Sequence, residues 1–152
     1  MSKILVIVDP WKSPLETDVE NYPQLPALLS AEQKLLASIL PTLETHFDGV
    51  YTQSGEPVCD SLKHLPKLIK RNIKPTDEVV FCGWHYARCI PKQIVDINKQ
   101  YKIPLDRIQI LRNYSFMFPG DTPDKIKDYY EHNNYPIVRE IYYNNHDYFY
   151  EQ

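Results

Sequence analysis

Val79-Val80-Phe81-Cys82-Gly83-Trp84-His85-Tyr86-Ala87-Arg88-Cys89-Ile90-Pro91 is the stretch that decides the fold. The apolar run Val79 to Cys82 reads as a buried strand that Gly83 ends. Pro91 suits the first turn of a helix, where its missing N–H costs nothing. Cys89 therefore falls at or just before a helix start. Unpaired backbone N–H groups and the helix dipole at such a position lower a thiol pKa and favour the thiolate. The alternative reading of Cys89 is a small buried apolar group.

Working outward, Lys3 to Val8 is a continuous β-branched run that reads as a strand buried on both faces and ending at Asp9-Pro10. Residues 10 to 29 carry Pro10, Pro14, Pro23 and Pro26 and read as a long loop. Ser30 is expected to cap an amphipathic helix through Leu35, Leu36, Ile39 and Leu40, which Pro41 kinks or ends. Asp48 to Thr52 is a second strand. Val58 to Arg71 is a second helix, with Pro66 marking a kink or break. Glu78 to Cys82 is the third strand and Ile90 to Tyr101 the third helix. Arg107 to Leu111, a helix from Thr122 to about His132, and Pro136 to Tyr143 follow. Asn144 to Gln152 reads as a tail.

This alternation predicts one α/β domain over residues 1 to 152. It is a three-layer α/β/α, doubly wound, Rossmann-like unit with a mainly parallel five-stranded sheet and right-handed crossovers. Ligands of such sheets lie beyond the carboxyl ends of the strands. That rule puts Asp9 and Cys89 on one edge of the sheet.

Composition narrows the function. The net charge of −3 gives no basic field for nucleic acid. No run has the length of a membrane span. Three cysteines, an odd and small number, argue against a disulfide framework and for a reducing compartment, so a cytoplasmic location is expected. With only 4 glycines and neither phosphate-cradling motif, no nucleotide cofactor is expected, and a flavodoxin-like or phosphate-binding domain is disfavoured. The five histidines are scattered, so no metal site is expected. The partner implied is a small molecule. Tyrosine, at 12, is dense towards the C-terminus and suggests a homo-oligomeric contact there, with an exposed tail as the other reading.

At the strand ends the chain resembles the isochorismatase-like cysteine hydrolases. Ile4-Leu5-Val6-Ile7-Val8-Asp9 is similar to that family's first strand, which ends in an aspartate. Gly83 and Cys89, six residues apart, resemble its nucleophile segment. The resemblance implies Cys89 as nucleophile towards a carbonyl or nitrile-type carbon, Asp9 as base and backbone N–H groups as the oxyanion hole. It also implies a non-proline cis bond at Trp84–His85. The family's lysine normally follows an intermediate strand, and none follows Val50-Tyr51-Thr52-Gln53-Ser54 here. The positive partner would then be Lys12, Arg88 or His85.

The N–H groups of Arg88 and Cys89 are the expected oxyanion donors. Trp11, Trp84, Tyr86 and Tyr114 each follow or end a strand and are expected either to surround the substrate cleft or to pack loops on the sheet. The expected function is thus hydrolysis of an amide, imide or related bond. The alternative is an inactive binding or regulatory protein on the same fold. A short chain rich in Lys, Asn, Ile and Tyr would suit a phage or small genome.

Overall fold

The computed structural model describes residues 1–11, 13–68 and 72–151. Six strands form one sheet: β1 (Lys3–Val8), β2 (Gly49–Gln53), β3 (Glu78–Trp84), β4 (Ile108–Phe116), β5 (Arg139–Asn144) and β6 (Tyr148–Tyr150). Among the described residues four α-helices accompany them: α1 (Glu16–Asn21), α2 (Leu25–Leu43), α3 (Cys89–Tyr101) and α4 (Pro123–His132). The strand order is β2-β1-β3-β4-β5-β6. The first five strands pair in parallel, and β6 turns back antiparallel on β5.

The period-2 alternation of a strand sorts the core into two layers. In β1, Leu5 and Ile7 join Val80 and Cys82 on one face, beneath Leu25, Leu29, Leu36, Leu40 and Leu43 of α2. Ile4, Val6 and Val8 join Val79 and Phe81 on the other face, beneath Ile90, Ile94 and Ile97 of α3. Each fully buried side chain of this size contributes about 1.5–3 kcal/mol. Helices on both faces leave the sheet no polar side, which is why its central strands read as unbroken apolar runs.

Several elements depart from the sequence reading. The sheet has six strands, because the expected tail supplies β6. Phe149 packs against Phe47 and Tyr143, with Lys3 Nζ 4.2 Å from its ring centre. The helix expected from Ser30 begins at Leu25, since Pro26 fits its first turn. Pro41 stays inside it, two residues from the end, and gives up the bond its N–H would have made one turn back. The long loop contains α1.

The helix expected over Val58 to Arg71 is a 3₁₀ turn at Asp60–Leu62 followed by a turn and a β-bridge from Lys67 to Thr52; Ile69, Lys70 and Arg71 lie outside the described residues. Pro66 lacks the donor a helix needs, but its carbonyl accepts from Thr52 N–H at 3.0 Å, and Leu68 N–H returns to Thr52. The segment therefore covers the β2 edge. β4 runs on to Phe116, through residues read as loop, and β5 starts at Arg139 rather than Pro136.

Gly83 does not end β3; the strand continues to Trp84. The glycine instead lets two strands approach. It has φ +108°, and a Cβ there would lie 2.4 Å from the carbonyl oxygen of Val8, its register partner in β1. No side chain fits that gap. Close pairing at this point sets Asp9 beside the loop that leads to Cys89.

Candidate active site

Asp9 follows the last residue of β1 and has φ +44°, the left-handed region that aspartate tolerates better than most residues. Its N–H donates to Gln53 O at 3.0 Å, tying it to the end of β2. Its carboxylate has the Cys89 thiol and the Ser54 hydroxyl as hydrogen-bond partners. Burial raises the Asp9 pKa, and these two hydrogen bonds oppose the rise; nearby Glu56 adds to it and Lys92 lowers it. Ser54 is itself fixed in a tight turn, accepting from Glu56 N–H at 3.1 Å, with Glu56 O, also at 3.1 Å, competing with Asp9 for its one hydroxyl proton.

Cys89 opens α3 and is partly buried. The sequence suggested a thiol lowered by the helix start. The structure reverses the direction: burial first, then Asp9 through its hydrogen bond and its charge, push Cys89 up to about 12. Lys92 and Arg88 act the other way and lose. The desolvation and the adjacent carboxylate outweigh the two cations.

The expected oxyanion pair is also corrected. Arg88 N–H is engaged with His85 O at 3.0 Å, and Ile90 N–H shares that carbonyl at 3.3 Å. Cys89 N–H, in the first turn of α3, is the backbone donor next to the thiol.

The aromatic residues separate. Trp84 is fully buried, stacked on Phe116 at 4.9 Å between ring centres, with Nε1 donating to Glu32 at 3.3 Å. It belongs to the core, and so does not line a cleft. Burial lifts Glu32 to about 7, with the Trp84 bond opposing. Tyr86 turns away, its hydroxyl donating to Glu140 and its ring 4.1 Å beneath the Arg112 guanidinium. It lines a separate groove of about 500 Å³ with Met117, Ile126, Tyr130 and Val138. Tyr114 packs on the α2 layer. Trp11 pairs with Val58 and its ring centre lies 6.1 Å from His85. The Trp84–His85 bond is cis.

His85 is buried, edge-on to Phe118 at 5.2 Å, and its Nε2 has no partner among the described residues. Burial, reinforced by Arg88, lowers it to about 4, so it is neutral at pH 7 and supplies no positive charge. Arg88 reaches away to Asp121, Nη2 to Oδ1 3.0 Å, and lies over Phe118 and Tyr129. Lys12 lies outside the described residues.

The cation that sequence reasoning missed is Lys92. It is exposed, one turn along α3 from Cys89, and its charge bears on both Cys89 and Asp9. Its i, i+3 spacing from Cys89 on a helix was the available signal. Tyr135, in the segment after α4, was also missed; its pKa is raised by burial, then by Tyr129, Cys89 and Asp96.

Among the described residues no three His, Cys, Asp or Glu side chains group as metal ligands, and no helix is long and apolar enough to cross a membrane. Comparison with protein-family models, curated proteins and solved structures finds no match.

Proposed function

We propose that this chain is a small cysteine hydrolase of the isochorismatase-like kind, on a Rossmann-like doubly wound fold. It cleaves an amide, imide or related bond of a small molecule. The observation that carries the reading is the Asp9 carboxylate facing the Cys89 thiol at the carboxyl edge of the parallel strands.

Burial and the neighbouring Asp9 charge push the thiol well above its ordinary range, so it is protonated at pH 7. A preformed thiolate is therefore not the reactant. The proton leaves as the bond forms, which requires a base in contact, and Asp9 is that base. Cys89 Sγ attacks the carbonyl carbon while its proton passes to Asp9. The oxyanion meets Cys89 N–H, with Lys92 adding positive field. Collapse expels the amine, which takes the proton back from Asp9 and leaves a thioester on Cys89. Water then attacks the thioester as Asp9 accepts its proton. The departing sulfur recovers that proton, releasing the acid.

A second reading is a binding protein without turnover on the same fold. Arg88 tied to Asp121 and an exposed Lys92 favour it, since neither fixes a buried cation on the thiol. Mass spectrometry of the protein with a panel of small amides and cyclic imides separates the two. The hydrolase gives an acyl mass on the Cys89 peptide and hydrolysed product, both lost in Cys89→Ser. Hydrolysis that persists in Cys89→Ser removes the first reading, and binding without an adduct supports the second.

A further inference from the structure

Arg88 is the residue before Cys89, yet its charge is spent elsewhere. Its Nη2 meets Asp121 Oδ1 at 3.0 Å, in the loop before α4. The guanidinium carbon lies 4.6 Å from the centre of the Phe118 ring and 5.8 Å from that of Tyr129. The Asp121 side chain is only 8% exposed, against 41% for Arg88. Arg88 Nε and Asp121 Oδ2 are both buried without a partner among the described residues. One hydrogen bond joins the pair where a fork could make two, and the single bond is the weaker arrangement.

We propose that Asp121 is a positioning residue for the thiol: it holds and neutralises the Arg88 guanidinium, and so withholds that cation's field from Cys89 in the resting protein. A lone cation beside a thiol favours the thiolate; a cation with a buried anion against it presents only a dipole, whose field falls off faster. The groups facing Cys89 are Asp9 beyond the end of β1, Lys92 on α3, Arg88 itself, and Tyr135 after α4. Those around Arg88 are His85 and Asp121, with Lys125, Asp128 and His132 along a groove of about 420 Å³ that both members of the pair line. His85 is neutral, so Asp121 is the anion that meets the guanidinium. The inference rests on Cys89 as the reactive group, but it is tested on the thiol directly, without a substrate.

The experiment is the alkylation rate of Cys89 by iodoacetamide against pH, read on the Cys89 peptide by mass spectrometry. Proteins compared are the wild type, Asp121→Asn, Arg88→Gln and the double variant, at low and high salt. Asparagine keeps the size and a hydrogen bond to Arg88 while removing the charge. Asp121→Asn is expected to speed alkylation near neutral pH by about threefold, a gain that shrinks in high salt. Arg88→Gln alone should leave the rate within about twofold of wild type, and the double variant should lose the gain. A gain that survives in the double variant or in high salt means that the loop has merely opened, and overturns the proposal. So does a slowing in Arg88→Gln as large as that gain, because Arg88 would then be unmasked already. Where Asp121→Asn does not fold, Asp121→Ser removes the same charge with a smaller side chain and takes its place, and a slowing of about threefold in Arg88→Gln still overturns the proposal. Hydrolysis enters none of these readings, so failure of the hydrolase assignment shows separately in the acyl-trapping experiment.

Discussion

The Asp9 carboxylate faces the Cys89 thiol because Val8 and Gly83 are register partners with no room for a side chain between them. The close pairing of β1 and β3 places the carboxylate. The His85 carbonyl, which accepts from Arg88 and Ile90 N–H, and the start of α3 place the thiol.

Gly83→Ala tests that frame. A Cβ 2.4 Å from Val8 O, on a backbone at φ +108°, forces the strands apart. The expected loss is roughly 3 kcal/mol or more of unfolding free energy by urea melts. A variant as stable as wild type would mean that the two strands do not approach so closely.

His85 predicts an acid sensitivity. Its folded pKa, about 4, lies below the ordinary value of 6.5, so the unfolded chain binds the extra proton between those values. Its contribution therefore rises with pH from about 4 to about 6.5 and is fully present above. Between about pH 7.5 and about pH 5 it removes about 2 kcal/mol. His85→Phe should reduce that loss in paired urea melts at the two pH values. An undiminished loss would assign the acid sensitivity to other groups.

Glu32 acts with the opposite sign. Its folded pKa, about 7, lies above the ordinary 4.5, so the folded state binds the proton more tightly. Stability from this group falls as pH rises from about 4.5 to about 7 and stays low above. Glu32→Gln keeps an acceptor for Trp84 and should raise the melting temperature above pH 7 by a few degrees. It should also abolish any change in Trp84 fluorescence with a midpoint near 7. A midpoint that persists in the variant would place the titration elsewhere.

The sixth strand is expected to matter for stability. Phe149 lies 5.5 Å from both the His46 and Phe47 rings, centre to centre, and joins the α2 layer. Phe149→Ala should cost about 2–4 kcal/mol. A chain ending at Tyr143 would leave the β5 edge open to pairing with other chains. Light scattering should then report larger assemblies than for the full chain. An unchanged state would show that β6 neither protects that edge nor mediates assembly.

The central strands were legible because both faces of the sheet are covered, which writes Lys3 to Val8 and Val79 to Cys82 as plain apolar runs. Gly83, Cys89 and Pro91 then marked the turn and the helix start. Val58 to Arg71 misled because leucines at helical spacing can also face a core from a 3₁₀ turn; Leu62 does so. α1 was hidden by flanking prolines, and β6 by its three-residue length. In the site, Asp9 and Cys89 were readable from strand ends. The thiol's direction was not, since it depends on how much water the folded chain removes around it. Trp84 and Tyr86 looked alike in sequence; the last position of β3 sent one into the α2 layer, and the loop two residues on sent the other to Glu140.

The most direct test of the Asp9–Cys89 pair is the pH titration of the Cys89 thiol, followed by its alkylation rate in wild type and Asp9→Asn. The expected result is a wild-type thiol ionising far above the ordinary 9.0, towards about 12, and a fall of about one unit or more when the Asp9 charge is removed. A wild-type thiol titrating near 9.0, with the same curve in Asp9→Asn, would contradict the pairing and the base role built on it.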